Sequence, residues 1–220
     1  TFAFRDCEHG AKLFAGEEEG YIYTRIGNPT ITAFENVMSE LEGGYRAIAT
    51  SSGMGAVNVA YLTFLTKGDH IISTDAVYGP SRVVIENYYN RYGIESSYVD
   101  TSDISNIEKV LRPNSKMLYI ETPANPTMAI TDIKKCSLLA KKHNLILVVD
   151  NTFCSPFLQK PLNLGADITL HSITKFINGH ADVVGGVLIA KDKDIYHKLR
   201  ATMVNFGFNM DPHQAYMVIR

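Results

Sequence analysis

The sequence has no block of basic residues, no long apolar run and few cysteines. Lys and Arg number 21 against 23 Asp and Glu, which gives a formal net charge of -2 at pH 7. Nucleic acids and anionic membrane surfaces select proteins with a basic face, so neither is expected as the main partner. No apolar run approaches the roughly 18 residues that span a bilayer, and the N-terminal TFAFRDCEHG lacks the basic and apolar segments of an export signal. These absences favour a cytoplasmic protein that acts on small molecules.

The three cysteines, Cys7, Cys136 and Cys154, cannot all pair within one chain and have no Cys-x-x-Cys spacing. This excludes a disulfide framework and a zinc or redox motif of that type. We interpret all three as reduced, small, buried or half-buried side chains. Cys154 lies four residues after Asp150, but its context indicates no lowered pKa, so it is assigned no role.

Apolar segments alternate with helical patterns along most of the 220 residues, of which 45% are hydrophobic and 20% charged. This alternation predicts an α/β fold, and continuous apolar runs such as LILVV predict strands that helices cover on both faces of a mostly parallel sheet. The predicted strands are RAIATS, HIISTD, ESSYVD, KMLYIE, LILVVD, DITLHS and VVGGVLIA, and the predicted helices span 30–42, 54–66, 80–92, 103–111 and 131–143.

Residues 1–29 have little periodicity and combine the acidic cluster Glu17–Glu19 with the aromatic segment YIYTR. They are interpreted as an extended arm that packs on something else. The main domain is assigned to 30–209. The segment 210–220 is typical of a helix interrupted after two or three turns, and the first residue is not Met. We therefore expect the sequence to be incomplete.

Ligands of open parallel sheets bind beyond the carboxyl ends of the strands, so the residues at those ends are the first candidates for a site. After RAIATS, the glycine pair Gly53 and Gly55 opens a helix, which would let backbone N–H groups approach an anion. The alternative is an ordinary tight turn, and neither the dinucleotide fingerprint nor a P-loop is present. After HIISTD comes Tyr78, which could also be a packing residue.

Two further strands deliver polar residues. Asn125 follows KMLYIE and is flanked by prolines, and Asp150 ends LILVVD, where an ionised carboxylate is costly unless it meets a positive partner. The alternative for Asp150 is a cap on the turn that follows. After DITLHS come the hydroxyls of Ser172 and Thr174 and the amine of Lys175.

Together these groups fit one cofactor, pyridoxal 5'-phosphate (PLP), better than any other. A lysine amine can bind the aldehyde of PLP covalently, and a carboxylate can keep the ring nitrogen protonated so that the ring withdraws electrons. Hydroxyls and helix N–H groups can hold the phosphate. The combination is far less expected by chance than any of its parts.

The motifs YIYTRIGNPT, SSGMGA, VYG, ETPANP, VVDNTF and HSITKFINGH, in this order, resemble the Cys/Met-metabolism family of PLP-dependent enzymes. The resemblance spans nearly all of the chain. It implies the large domain of a fold-type I, aspartate aminotransferase-like enzyme over 30–209, an arm over 1–29 that reaches a neighbouring subunit, and the start of a C-terminal segment over 210–220.

The resemblance also implies roles for single residues. Lys175 matches the lysine that holds the cofactor and moves protons, and Asp150 matches the partner of the ring nitrogen. Tyr78 matches the stacking ring that assists proton transfer, and Asn125 the amide near the cofactor hydroxyl and the substrate carboxylate. The remaining matches are to phosphate donors: Gly53 and Met54 through the backbone, and Ser172 and Thr174 through their hydroxyls.

Tyr23 and Arg25 match a pair that reaches the phosphate in a neighbouring subunit. Because an arginine fork suits phosphate and the arm has too little apolar patterning to fold alone, the sequence predicts a homodimer, paired further into a tetramer. In the family the arginine for the substrate carboxylate lies in a smaller C-terminal domain, which is not part of this sequence.

The implied reaction is carbon–sulfur cleavage of a sulfur amino acid by γ- or β-elimination, which yields a thiol, a 2-oxo acid and ammonia. The segments SSGMGA, DNTFCSP and INGHADVV are most similar to the γ-lyases of methionine and cystathionine. Two positions depart from the methionine-cleaving members: Pro80 replaces a cysteine, and VNFGFNMDPHQA lacks a Lys-Asp pair. Methionine, cystathionine and cysteine therefore remain open as substrates.

Two alternatives also stay open. A γ-replacement transferase, which joins a thiol to an activated homoserine, would use all the same residues. A non-catalytic binding protein would instead use Asp150 and Lys175 as a structural ion pair. His171 is interpreted as a packing residue beneath the cofactor loop, and His180 as a turn residue.

Overall fold

The computed structural model describes all 220 residues. Helices and strands alternate along the chain from the second helix to the sixth strand, after which a seventh strand and two helices follow in succession. The helices are α1 (Cys7–Ala15), α2 (Pro29–Glu42), α3 (Gly53–Phe64), α4 (Gly79–Asn87), α5 (Ile104–Val110), α6 (Ile133–Lys142), α7 (Ser155–Leu158), α8 (Lys193–Phe206) and α9 (Pro212–Ile219). The strands are β1 (Arg46–Thr50), β2 (His70–Thr74), β3 (Glu95–Val99), β4 (Ser115–Glu121), β5 (Ile146–Asp150), β6 (Ile168–Ser172) and β7 (Gly186–Ala190).

All seven strands form one sheet in the order β1-β7-β6-β5-β4-β2-β3. β7 is antiparallel to both of its neighbours, and every other adjacent pair is parallel. The α/β fold with a mostly parallel sheet is thereby confirmed. Because β1 and β6 both run against β7, they run in the same direction, and the carboxyl end of β1 lies on the same edge as those of β4, β5 and β6.

Helices cover both faces of the sheet, which explains why central strands such as β5 are largely apolar. Along β5, Val148 packs in a cluster with residues of α3 and α8, whereas Leu147 and Val149 pack in a second cluster with residues of α5 and α6. A third cluster joins β1 and β7 to α2 and α9. Alternate residues of a strand point to opposite faces, so a strand covered twice needs apolar residues at nearly every position.

The seven predicted strands are confirmed to within a few residues at their ends. The five predicted helices are also confirmed, although the one predicted over 80–92 is divided into α4 and a short 3₁₀ helix, Tyr89–Tyr92. The helical interpretation of 210–220 is confirmed by α9. None of the helices combines the length and the apolar character that crossing a membrane requires.

The prediction that 1–29 is extended throughout is wrong, because this segment contains α1. Asp6 begins α1 by accepting a hydrogen bond from the backbone N–H of His9 at 2.7 Å, and Gly16 ends it with φ 71° in the left-handed region. Only Gly10 and Leu13 of α1 are buried, so the helix has almost no apolar periodicity to reveal it. α7 and α8 were not predicted either.

Candidate active site

A cavity of about 490 Å³ lies at the carboxyl edge of the sheet. The ends of β1, β4, β5 and β6 and the loop after β2 contribute to its walls. Eight of the ten residues proposed from the sequence line it: Gly53, Met54, Tyr78, Asn125, Asp150, Ser172, Thr174 and Lys175.

The start of α3 forms one wall of the cavity. Ser52 caps the helix by accepting the N–H of Gly55 at 3.0 Å, while the N–H groups of Gly53 and Met54 have no acceptor within the helix. A Cβ placed on Gly53 would lie 2.9 Å from the Cβ of Ser172, so glycine permits this close approach. The positive end of α3 therefore lies against the Ser172 side chain and can accept an anion.

The hydroxyls of Ser172, at the end of β6, and of Thr174, in the loop that follows, both line the cavity close to Lys175 in the sequence, and Thr174 is held by hydrogen bonds to Gly185. The Oγ1 atom of Thr174 donates to the carbonyl of Gly185 at 3.3 Å and accepts from the N–H of the same residue at 3.1 Å. The Ser172 hydroxyl lines the same wall. Thr174 therefore also fastens the loop to the segment that leads into β7.

Asp150 ends β5 and is buried beneath the cavity. Its Oδ2 atom accepts a hydrogen bond from the hydroxyl of Tyr119 at 3.1 Å, and its Oδ1 atom accepts from the Oγ1 and N–H groups of Thr152 at 2.5 and 3.1 Å. Burial raises the pKa of Asp150, and the bonds from Thr152 oppose that rise. The capping role is thus present, and the same carboxylate also lines the cavity.

Lys175 is exposed, and its side chain lines the cavity. The Lys175 amine forms no ion pair and donates no hydrogen bond to a protein acceptor, whereas Asp150 takes its hydrogen bonds from Tyr119 and Thr152. The structural ion pair on which the non-catalytic hypothesis depended is therefore absent. The amine and the carboxylate share one cavity without neutralising each other.

Sequence reasoning missed Glu121, the last residue of β4, which also lines the cavity. It is 2% exposed and is the parallel partner of Asp150 in the sheet register. Its two carboxylate oxygens accept the backbone N–H groups of Tyr78 at 2.7 Å and Asn125 at 3.1 Å. Burial, with the nearby charge of Asp150, raises the pKa of Glu121 to about 7. The available signal was that KMLYIE, like LILVVD, is an apolar strand that ends in a carboxylate.

Tyr23 and Arg25 do not line this cavity. The Arg25 guanidinium donates to the carbonyl of Val204 at 2.7 Å and lies 5.3 Å from the centre of the Tyr23 ring. Within one chain the structure keeps this pair apart from the other eight residues. Their contact with a second subunit stays a prediction.

The remaining candidates lie outside the cavity lining. His171 is fully buried, with its Nε2 atom 2.5 Å from Oε1 of Glu42. The Nδ1 atom of His180 lies 2.8 Å from the carbonyl oxygen of Asn178, as expected of a turn residue. Cys7, Cys136 and Cys154 are all free thiols, as predicted, but Cys7 is exposed, so the interpretation of all three as buried or half-buried is wrong for Cys7.

The chemical groups of the cavity fit PLP. An anion seat, a buried carboxylate and a primary amine without an ion pair match its phosphate, its ring nitrogen and its aldehyde. A mostly parallel sheet that carries these groups at its carboxyl edge defines the fold-type I class of PLP-dependent enzymes.

Comparison with known proteins narrows the class to a family. The family described as "Cys/Met metabolism PLP-dependent enzyme" matches residues 1–220. L-Methionine γ-lyase of Porphyromonas gingivalis is 45% identical over 222 residues, and cystathionine γ-lyase of Bacillus subtilis is 45% identical over 206 residues. The crystal structure of cystathionine γ-lyase from Lactobacillus plantarum complexed with L-serine superposes with a TM-score of 0.92 at 35% identity. The chain belongs to the Cys/Met metabolism family of PLP-dependent enzymes.

These matches cover the chain almost completely but not the relatives. The P. gingivalis and B. subtilis proteins are matched over 100% and 94% of this chain, and over 56% and 54% of their own lengths. The L. plantarum structure is matched over 99% of this chain and 55% of that one. The chain thus spans a little more than half the length of the relatives it matches.

Proposed function

We propose that this chain forms the cofactor-binding part of a PLP-dependent carbon–sulfur lyase. The substrate is a sulfur amino acid, and γ- or β-elimination releases a thiol, a 2-oxo acid and ammonia. The observation that carries the proposal is the cavity itself, where an exposed lysine amine without an ion pair faces the same space as a buried carboxylate. Relatives that are 45% identical are named as methionine and cystathionine γ-lyases, which supports the reaction class.

Different residues of the cavity hold different parts of the cofactor. Gly53 and Met54 offer backbone N–H groups to the phosphate, and Ser172 and Thr174 offer hydroxyls. Asp150 holds the proton of the ring nitrogen. When bound, PLP supplies an electron-withdrawing ring that stabilises negative charge on the α-carbon of an amino acid.

Lys175 and Tyr78 act on protons. The amine of Lys175 would hold the cofactor through its aldehyde, and the free amine would be the base that takes the proton from Cα of the substrate. Tyr78 is 48% exposed at the mouth of the cavity, where its ring can stack on the cofactor and assist proton transfer. Asn125, which also lines the cavity, orients the substrate carboxylate.

Pro80 and the segment VNFGFNMDPHQA leave methionine, cystathionine and cysteine as candidate substrates. The γ-replacement transferase uses the same cavity, and the names of the relatives reported above do not favour it. Incubation of the full-length protein with each amino acid separates the two functions. A lyase releases a 2-oxo acid from the amino acid alone, whereas a transferase releases little without an acceptor thiol.

We also propose that the protein is a homo-oligomer, a dimer or a dimer of dimers, in which Tyr23 and Arg25 of the arm complete the cavity of a second subunit. Their placement outside the cavity of their own chain supports this arrangement. The three free thiols support a reducing, cytoplasmic location.

Lys175→Ala tests the assignment of the amine. We expect turnover to be lost while the far-ultraviolet circular dichroism spectrum stays unchanged, because the Lys175 side chain is exposed and forms no ion pair or hydrogen bond within the protein. Borohydride treatment should fix the cofactor to the peptide that contains Lys175 in the wild-type protein and to no peptide in the variant. Lys142→Ala, at the exposed end of α6, is the control and should behave as wild type. Turnover retained by Lys175→Ala would reject the assignment.

A further inference from the structure

Glu121 joins two loops that come from distant parts of the sequence. One carboxylate oxygen accepts the N–H of Tyr78, 43 positions earlier in the chain, and the other accepts the N–H of Asn125, four positions later. Tyr78 ends the loop after β2, directly before α4, and Asn125 lies in the loop after β4. Both loops contribute residues to the cavity, and in the sheet β5 separates β4 and β2 from β6, the strand that precedes Lys175.

A carboxylate is the side chain that this junction requires. Both of its oxygens are acceptors, whereas a glutamine offers one acceptor and a donor that would face one of the two N–H groups. Tyr78 is the N-cap residue of α4, so its N–H lies outside the hydrogen bonds of that helix, and Glu121 provides its acceptor. Because Glu121 is 2% exposed, water cannot replace it without opening the cavity wall.

Resting on the proposed function, we infer that Glu121 is a positioning residue that holds Tyr78 and Asn125 at the correct separation for the cofactor ring and the substrate. Its hydrogen bonds go to the backbone of the two residues, not to their side chains. Glu121 therefore fixes where each side chain starts and leaves the Tyr78 ring and the Asn125 amide available to the ligand. The expected consequence of losing it is a displaced cofactor rather than an unfolded chain.

Glu121→Gln in the full-length protein tests this inference. We expect the Kd for PLP to rise about tenfold, because one buried N–H group loses its acceptor. The visible circular dichroism of the bound cofactor should weaken, since that signal reports how the ring is held. In the cofactor-free protein, amide hydrogen exchange at Tyr78 or Asn125 should accelerate, while amides of β6 keep their wild-type rates.

Glu86→Gln is the matched control, because it makes the same chemical change in α4 at an exposed position paired only with Arg82. It should leave the Kd, the dichroism and the exchange rates unchanged. Wild-type affinity and dichroism in Glu121→Gln would overturn the inference. Reduced affinity with unchanged exchange at both amides would also overturn it, because Glu121 would then act on the cofactor directly.

Two further measurements keep the inference testable if Glu121→Gln does not fold. Glu121→Asp keeps both acceptors but withdraws them by one methylene, so it should shift the same signals in the same direction by a smaller factor. In the wild-type protein without cofactor, the Tyr78 and Asn125 amides should exchange more slowly than other loop amides. Rapid exchange at both amides would contradict their hydrogen bonds to Glu121. This measurement requires neither PLP binding nor turnover, so a negative result here can be told apart from a failure of the proposed lyase function.

Discussion

At the residue scale, Thr152 connects the carboxylate of Asp150 to the backbone of Ser172. Its hydroxyl donates to Oδ1 of Asp150 at 2.5 Å and accepts the N–H of Ser172 at 2.9 Å. One side chain thus orients the carboxylate assigned to the ring nitrogen and the loop assigned to the phosphate. The bond also lowers the pKa of Asp150 against the effect of burial, which favours the ionised form that a protonated ring nitrogen needs.

Thr152→Val should reduce the free energy of unfolding by about 1–2 kcal/mol, because the N–H of Ser172 and the carboxylate of Asp150 each lose a buried partner. The affinity for PLP should fall as well. Urea unfolding and a PLP titration measure the two effects. Thr169→Val is the control, since the Oγ1 atom of Thr169 is buried without a partner and its loss should cost little. Equal losses in the two variants would show that the hydrogen bonds of Thr152 contribute nothing specific.

Single residues could be predicted where chemistry follows directly from sequence position. Asp150 is the last residue of β5 and Lys175 follows the end of β6 by three residues, and the edge of a parallel sheet brings such residues together. The role of Glu121 could not be predicted in this way, because its partner Tyr78 lies 43 positions away and offers only its backbone N–H. Every residue except proline has a backbone N–H, so the sequence does not show which one a carboxylate will bind.

At the scale of elements, apolar periodicity and helix capping explain which strands and helices could be predicted from the sequence and which could not. The central strands were predictable because burial on both faces demands apolar residues, whereas β3 is a partly buried edge strand with a more polar sequence. α8 was missed although Ile195, Leu199 and Met203 follow at four-residue intervals and Asp192 caps its first turn. The segment 1–29 was interpreted as an extended arm because it has little periodicity, and the burial of only Gly10 and Leu13 explains why α1 leaves so weak a pattern. The reversed direction of β7 depends on a sheet partner and could not be read from local patterns.

His70 links three strands at the other end of the sheet. Its Nδ1 atom lies 2.8 Å from the Ser115 hydroxyl of β4, and its Nε2 atom lies 2.9 Å from the Ser97 hydroxyl of β3. The ring is completely buried, and burial lowers its pKa to about 4 from an ordinary value of 6.5. Burial therefore favours the neutral form of the His70 ring in the folded protein.

Stability should fall as the pH drops from 6.5 toward 4, because the unfolded chain then binds a proton that the folded protein excludes. At pH 5 this amounts to about 2 kcal/mol in the free energy of unfolding relative to pH 8. Urea denaturation at both pH values measures it. His70→Gln should lack this part of the pH dependence, and His143→Gln, at the exposed end of α6, should retain it. An unchanged dependence in His70→Gln would mean that another group is responsible.

At the scale of the whole molecule, the arm carries Tyr23 and Arg25, which we propose complete the cavity of a second subunit. Arg25 is held toward α8 by the carbonyl of Val204, away from the cavity of its own chain. If the arm completes a neighbouring site, a subunit lacking Arg25 and a subunit lacking Lys175 have complementary defects. Each can supply what the other lacks.

Mixing the full-length Arg25→Ala and Lys175→Ala variants, after dissociation and reassembly, should restore lyase activity that neither has alone. Random pairing makes half of the dimers mixed, each with one intact site of two, so about a quarter of the wild-type activity is expected. Two Lys175→Ala samples treated in the same way are the control. No recovery from a mixture that forms mixed dimers would show that Arg25 serves its own chain.

The strand order determines when the site can form during synthesis of the chain. β1 enters the sheet only by pairing with β7, the last strand to be made, so the phosphate seat behind β1 cannot close against Ser172 until the ribosome has released residue 190. A nascent chain halted earlier would carry nearly every group assigned here to vitamin B6 and still be unable to retain the vitamin.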